Sequence, residues 1–375
     1  MLNKKVIIIP DSFKGSMSSE KVAGVLNEII LQRKGCDTIS IPIADGGEGS
    51  TRCILEALGG TYKSVRVHSP ENTIINARYG ITHNRVAVLE IAESSGLTKQ
   101  KTLNPMTANT YGFGEMIKDA LDEGLRDFLL CLGGSASTDC GCAMASALGM
   151  KFFDVAGRIF VPCGKTLKNV VSLDASDMDE RVFSSRFTVM SDVENPLFGP
   201  LGAAHVFSPQ KGADPEEVMA LDSGLKHISD VMRKAGFKDP GIVKGAGAAG
   251  GAGYGCFAFL NANIESGIDA MLDICHFDEK IKEAAYVVTG EGKLDEQSLM
   301  GKVVGGIHKR SEGKPMLVFC GINELSEDKL SELGIRVVEI GKDIPLEESM
   351  KNGEGYLRKA ANSFFGSLKK DDIMF

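Results

Sequence analysis

The segment Leu132-Gly133-Gly134-Ser135-Ala136-Ser137-Thr138-Asp139 follows the apolar run Phe128 to Cys131 and precedes an Ala/Met/Leu-rich stretch, 143–148, that Gly149 stops. Two glycines after a strand free the backbone to approach an anion, and the hydroxyls of Ser135 and Ser137 can donate to it. A helix starting here would add unpaired N–H groups and partial positive charge, so the layout suits a phosphate. The competing reading is a plain strand-to-helix turn with Thr138 or Asp139 as N-cap.

Other segments gather chemistry at the ends of apolar runs. Asp11-Ser12-Phe13-Lys14-Gly15-Ser16 follows the first strand, and Lys14 can meet a carboxylate or phosphate as a point charge. Asp45-Gly46-Gly47-Glu48-Gly49 follows the second; its two carboxylates can hold Mg²⁺ through water or accept substrate hydroxyls, unless Glu48 and Ser50 merely open a helix over 50–58. Ser191-Asp192-Val193-Glu194-Asn195-Pro196 follows strand 187–190, and the pre-proline Asn195 keeps this loop extended. Asp192 is thereby a candidate general base or metal ligand. Gln210-Lys211-Gly212-Ala213 supplies a further basic residue beside glycine. Thr289-Gly290-Glu291-Gly292-Lys293-Leu294-Asp295 closes strand 286–289 and brings two carboxylates and a lysine to the same sheet edge as Lys14.

Two motifs are decoys. Gly245 to Gly255 formally contains Gly-x-Gly-x-x-Gly, but 236–244 makes no convincing strand, which a dinucleotide fingerprint requires. A glycine-rich loop packed on another backbone, or covering a ligand, fits better. Gly164-Lys165-Thr166 resembles the end of a phosphate loop, yet the position that must be glycine is Ile159.

The elements that must hold these residues form a β/α succession at both ends of the chain. Strand 5–9, a helix from Ser18 to Gln32 and strand 38–43 open it; Val22, Val25, Leu26, Ile29 and Ile30 share one helical face. Apolar runs at 286–288, 316–319 and 336–340 continue it, without the alternation of a half-exposed strand, which implies a parallel sheet covered on both faces. Residues 62–92 alternate and read as an antiparallel meander, and Asp154-Val155-Ala156-Gly157 as a hairpin turn. The expected fold is α/β: a doubly wound parallel-sheet domain made of 1–64 and 286–375, with a mixed α/β domain over 65–285 inserted in it.

Bulk properties set limits. A net charge of −8 with no long block of like charge argues against a nucleic-acid partner, and 43% hydrophobic residues suit a globular enzyme. The N-terminal apolar run 6–9 is too short for a signal or membrane segment. Nine cysteines without Cys-x-x-Cys spacing fit small buried hydrophobes in a reducing cytoplasm.

In order along the chain, Pro10 to Ser16, Pro42 to Gly49, Gly133 to Ala136, Asp192 to Pro196, Pro209 to Ala213, Gly245 to Gly255 and Thr289 to Gly292 resemble the glycerate kinase family of the bacterial two-domain type. The resemblance implies a flavodoxin-like domain carrying an insert related to restriction-endonuclease folds, with the active site in the cleft. It implies ATP-dependent phosphorylation of D-glycerate, most often to 2-phosphoglycerate, with Mg²⁺. On this reading Gly133, Gly134, Ser135, Ala136 and Ser137 with Lys293 hold ATP phosphates, and Ser12, Phe13, Lys14, Asp45 and Glu48 contact glycerate. Glu291 and Asp295 are metal ligands, while Asp192 and Lys14 act in catalysis. The family's usual Asn-Asp-Gly-Gly is here Thr138-Asp139-Cys140-Gly141, and its arginine after Gly-Glu-Gly is Lys293. A role needing an amide at 138 or a two-pronged fork at 293 is therefore not carried over. Glycerate and ATP are the expected partners, with a homodimer one open option. The alternatives are an NAD-dependent oxidoreductase, suggested by the Gly-x-Gly-x-x-Gly alone, and a non-catalytic small-ligand sensor.

Overall fold

Fourteen strands are present in the computed structural model, which describes residues 5–13, 16–34, 36–41, 43, 46, 47, 49–299, 303–342 and 344–368. They are β1 (Lys5–Ile8), β2 (Asp37–Ser40), β3 (Gly60–His68), β4 (Ile74–Thr82), β5 (Val86–Glu90), β6 (Asp127–Cys131) and β7 (Lys151–Phe153). There follow β8 (Ile159–Phe160), β9 (Ser172–Asp174), β10 (Arg186–Met190), β11 (Asn263–Glu265), β12 (Ala284–Leu294), β13 (Met316–Asn323) and β14 (Ile335–Glu339). The chain divides into two compact units, Met1–Ala44 with Ser266–Phe375, and Asp45–Glu265.

In the first unit five parallel strands are ordered β14-β13-β12-β1-β2. Numbered within the unit this is 2-1-3-4-5, the flavodoxin order of a doubly wound sheet. Val6, Ile7 and Ile8 are all wholly buried although successive side chains face opposite ways, so both sheet faces are covered. The helix Ser19–Lys34 starts where Ser18 Oγ accepts from the Lys21 N–H at 3.3 Å, and buries the expected Val22, Val25, Leu26, Ile29 and Ile30. With the helix Gly353–Ser367 it covers the face that carries Val6, Ile8, Tyr286, Val288 and Phe319.

The second unit is built on a six-stranded sheet, β11-β10-β6-β5-β4-β3. The strands β5, β6, β10 and β11 are parallel, and β3–β4–β5 is the expected antiparallel meander. Phe128 of β6 and Phe187 of β10 are register partners with rings stacked 4.6 Å apart. A small antiparallel sheet, β8-β7-β9, includes the expected hairpin at Asp154 to Gly157.

The division falls at 44/45 and 265/266, not at 64/65 and 285/286. The helix Ser50–Leu58 belongs with the insert because the Glu90 carboxylate at the end of β5 accepts from the Gly49 and Thr51 N–H groups at 2.9 and 2.7 Å. A buried carboxylate thus caps that helix from 41 residues away. At the other end, the helices Gly267–Ile274 and Phe277–Glu283 are tied to the parallel-sheet unit by Arg310, which pairs with Asp273 at 2.5 Å and Asp278 at 2.7 Å.

Candidate active site

In the inserted unit three of the motifs meet at Gly46. Its carbonyl accepts from the Gly133 N–H at 2.9 Å. A Cβ on Gly46, whose φ is +80°, would stand 2.5 Å from the Met190 carbonyl oxygen, and one on Gly133 would stand 2.5 Å from the Gly47 Cα. Only glycine permits these approaches. The backbone of 46–47, the start of the Gly133 loop at the end of β6, and the end of β10 two residues before Asp192 are therefore locked together. Asp45 and Glu48, on which the substrate expectation rests, lie outside the described residues, as does Lys14.

The Gly133 loop differs from expectation in how it reaches its helix. That helix is Cys142–Ala147, only six residues, with Gly141 at its N-cap position, so its end is no anion site for 133–137. The N–H groups of Gly133 and Ala136 go to the carbonyls of Gly46 and Ser95, and that of Ser137 to the Ser135 hydroxyl at 3.3 Å. The N–H groups of Gly134 and Ser135 have no acceptor among the described residues, and of the five expected phosphate residues only Gly134 is exposed. Gly134 also has a φ of +77°, which turns the chain outward.

Below the loop lies a polar core. Asp139 is wholly buried and accepts from the Thr110 N–H and hydroxyl, both at 2.8 Å, and from the Gly141 N–H at 3.2 Å. Burial raises its pKa, and these donors with the Ser137 hydroxyl counteract part of the rise. Asp139 is therefore the centre of a network and not the N-cap. Lys211, 2% exposed, donates from Nζ to the Ser137 carbonyl at 2.5 Å. Burial lowers its pKa to about 7, against the opposing charge of Asp139.

The glycine-rich segment 245–255 packs on this loop. A Cβ on Gly250 would lie 2.1 Å from the Ser137 carbonyl oxygen, and one on Gly255 2.3 Å from that of Cys140. Its glycines serve backbone packing, and the structure before it is the 3₁₀ turn Pro240–Ile242, which removes the dinucleotide reading. The segment also steadies the Asp192 loop, since the Gly247 N–H donates to the Asn195 carbonyl at 2.9 Å. Asp192 itself is exposed. Gly164 to Asn169 is a 3₁₀ helix opened by a Cys163–Thr166 capping box, which fits the dismissal of a phosphate loop there.

In the parallel-sheet unit, β1 and β12 are neighbours at the point where strand order reverses, the usual place for a ligand in such a sheet. Here β12 does not close at 289 but runs on to Leu294, paired with β13 through Asn323. Gly290 and, on the facing strand β13, Gly321 permit close strand packing: a Cβ on Gly290 would be 2.9 Å from the Phe319 carbonyl oxygen, and one on Gly321 2.5 Å from that of Gly292. Glu291 is buried and Lys293 half-exposed. A residue that sequence reasoning missed, Ser298, joins the motif. Its hydroxyl donates to Glu291 Oε2 at 3.0 Å, with Asp295 Oδ1 at 3.4 Å and the Lys293 carbonyl at 3.2 Å. Lys293 pairs with Glu324 at 2.9 Å and Asp295 at 3.5 Å, and the Glu324 carboxylate first, then Asp295, raises its pKa. Ser12 donates its N–H to Asp11 at 2.6 Å at the end of β1. Phe13, expected on the substrate, is 4% exposed and part of the core, because its backbone exchanges hydrogen bonds with Met17 and turns the ring inward.

The model of the glycerate kinase family matches residues 6–369. The chain is 36% identical to the glycerate kinase of Halalkalibacterium halodurans over 96% of both proteins. It is 36% identical to the glycerate 2-kinase of Escherichia coli K12 over 84% of this chain and 85% of that one. The crystal structure of a Salmonella typhimurium LT2 protein assigned to glycerate kinase 2 superposes with a TM-score of 0.84 at 32% identity, covering 99% of this chain and 100% of its own. Among the described residues no helix is long and apolar enough to cross a membrane.

Proposed function

The chain belongs to the glycerate kinase family and is an enzyme of that family, and on this premise we propose that it transfers the terminal phosphoryl group of ATP to D-glycerate, giving 2-phosphoglycerate. The observation that supports this most is the meeting of Gly46, Gly133 and Met190, which brings the carboxylate-flanked glycine motif, the phosphate loop and the Asp192 loop to one edge of one sheet. Phosphoryl transfer asks the protein mainly for positioning and charge neutralisation, and these parts offer both.

In this reading the segment Gly133-Gly134-Ser135-Ala136-Ser137 carries the ATP phosphates, chiefly through the N–H groups of Gly134 and Ser135. Asp192 takes the proton of the attacking glycerate hydroxyl, since a secondary alcohol is a poor nucleophile unaided. Lys14 and Lys293 neutralise the glycerate carboxylate or the transferred phosphoryl, and Ser12, Asp45 and Glu48 bind substrate hydroxyls. Glu291 and Asp295 would hold Mg²⁺. Both are oxygen donors around Ser298, the ligand type this ion takes, and Mg²⁺ commonly uses one or two carboxylates plus substrate phosphates. Among the described residues no group of three His, Cys, Asp or Glu side chains forms a fuller cage. When bound, the ion neutralises charge on the phosphate oxygens. A cytoplasmic location accords with the nine cysteines, eight of them buried.

The test is ADP release on mixing the protein with ATP, Mg²⁺ and D-glycerate, with L-glycerate and lactate as controls. Turnover with D-glycerate is expected; none with any hydroxy acid would refute the reading.

A further inference from the structure

The inserted unit holds a cavity of about 330 Å³ whose lining, Gly49 of the glycine motif included, none of the catalytic or binding roles above uses. It lies at the end of β5, between the start of the helix Ser50–Leu58 and strands β3 and β4, and Arg52, Arg78, Lys99, Glu93, Tyr62 and Thr51 are among its walls. We propose that this cavity is a binding site for a small ligand bearing a carboxylate or phosphate oxyanion.

Charge is the first argument. Three cationic side chains line the cavity in a chain whose net charge is −8, of which Arg52 is paired with Glu56 of its own helix at 3.7 Å. Of the two carboxylates in the wall, Glu90 is already matched to the helix N-terminus through the Gly49 and Thr51 N–H groups. Glu93 alone answers both Arg78, at 3.3 Å, and Lys99, at 3.8 Å, and these are long contacts for ion pairs. A guanidinium has five N–H donors and an ammonium three, so one distant carboxylate leaves donor capacity on both.

Geometry is the second. The Arg78 guanidinium lies 4.5 Å from the centroid of the Tyr62 ring and gives its Nε–H to Glu93, and a guanidinium so supported has further N–H donors to offer a carboxylate or phosphate. Thr51, 3% exposed, has a hydroxyl oxygen with no partner among the described residues, a cost that a ligand or water oxygen beside it would relieve. The lining is too charged for the apolar face of a nucleoside base. The site also borders the phosphate loop: the 3₁₀ turn Leu97–Lys99, which supplies Lys99, is tied to it by the Leu97 N–H on the Gly134 carbonyl at 3.0 Å. The proposal concerns binding and does not rest on the reaction assigned above.

The experiment is calorimetric titration of the full chain, without nucleotide, by inorganic phosphate, D-glycerate and 2-phosphoglycerate in separate arms. Saturable binding is expected with at least one probe, weakened tenfold or more in Arg78→Gln and in Lys99→Gln. The tighter of the glycerate and phosphoglycerate arms tells a carboxylate source from a phosphate-ester source. Amide NMR shifts at Thr98 and Lys99 on adding phosphate locate the ligand without any substitution, should a variant fold poorly. No binding of any probe, or affinities within twofold of wild type in both variants with Thr98 and Lys99 unshifted, would overturn the proposal. Because no turnover is read, loss of the kinase reaction leaves this result standing, and the converse also holds.

Discussion

The Lys211 ammonium donates to the Ser137 carbonyl at 2.5 Å across 74 residues of sequence, fastening the Gly133–Ser137 loop from below with a nearly inaccessible charge. An isolated lysine in the unfolded chain titrates near 10.5, whereas burial brings Lys211 to about 7. Between those values the unfolded chain binds a proton that the folded chain has released, so this group makes stability rise with pH across that window, by up to about 1.4 kcal/mol per unit. Asp139 works in the opposite sense, from its ordinary value of 3.8 upward, because its pKa is raised. Urea unfolding of wild type and Lys211→Met at pH 7, 8.5 and 10 should show wild type gaining on the variant as pH rises. Parallel profiles would mean that the ammonium is not desolvated as the structure indicates.

Gly134→Val should raise the KM for ATP at least about tenfold, the factor that ~1.4 kcal/mol of lost binding gives. A β-branched residue at a φ of +77° also strains the turn by about 1–3 kcal/mol, so a thermal melt must accompany the kinetics. An unchanged KM in a folded variant would reduce the loop to a connector.

Ser298→Ala removes the hydroxyl between Glu291 and Asp295 and leaves Glu291 Oε2 without that donor. The expected loss is about 1–3 kcal/mol of stability. The Mg²⁺ concentration for half-maximal activity should rise with it, read from a metal titration at fixed ATP. If stability falls but the metal response does not move, Glu291 and Asp295 are structural.

Asp192→Asn keeps size and removes the basic oxygen. As the general base, Asp192 should give a variant with near-normal ATP and glycerate binding and a kcat lower by about 10²–10⁴. Loss of Mg²⁺-dependent ATP binding would make it a ligand instead, and normal turnover would leave it without a chemical role.

Periodicity revealed the elements whose burial has a period: the 19–34 helix, the meander β3–β5 and the parallel strands at both ends of the chain. It failed at β12, where the glycines after Thr289 read as the strand's end; in the sheet Gly290 lets the Phe319 carbonyl come close, and the strand runs five residues further. It failed again at Glu90 and Ser298, whose roles depend on partners brought up by tertiary structure. Glu90 ends an apolar strand and looks like any strand terminus, while its partners Gly49 and Thr51 lie about forty residues earlier. The motif Gly133 to Ser137 was visible because glycines and hydroxyls mark it locally. That Ala136 and Ser137 would be turned into the protein, fixed by Ser95, Asp139 and Lys211, was not, since each of those contacts is long-range or buried.

The most direct measurement is NMR of the product formed from ¹³C-labelled D-glycerate, ATP and Mg²⁺. The account predicts a ³¹P coupling at the carboxylate carbon C1 that grows with ADP, since C1 is three bonds from phosphorus in 2-phosphoglycerate but four in the 3-phosphate. Coupling at C2 and C3 with none at C1 would contradict the proposed acceptor hydroxyl, and unaltered glycerate with intact ATP would contradict the proposed reaction itself.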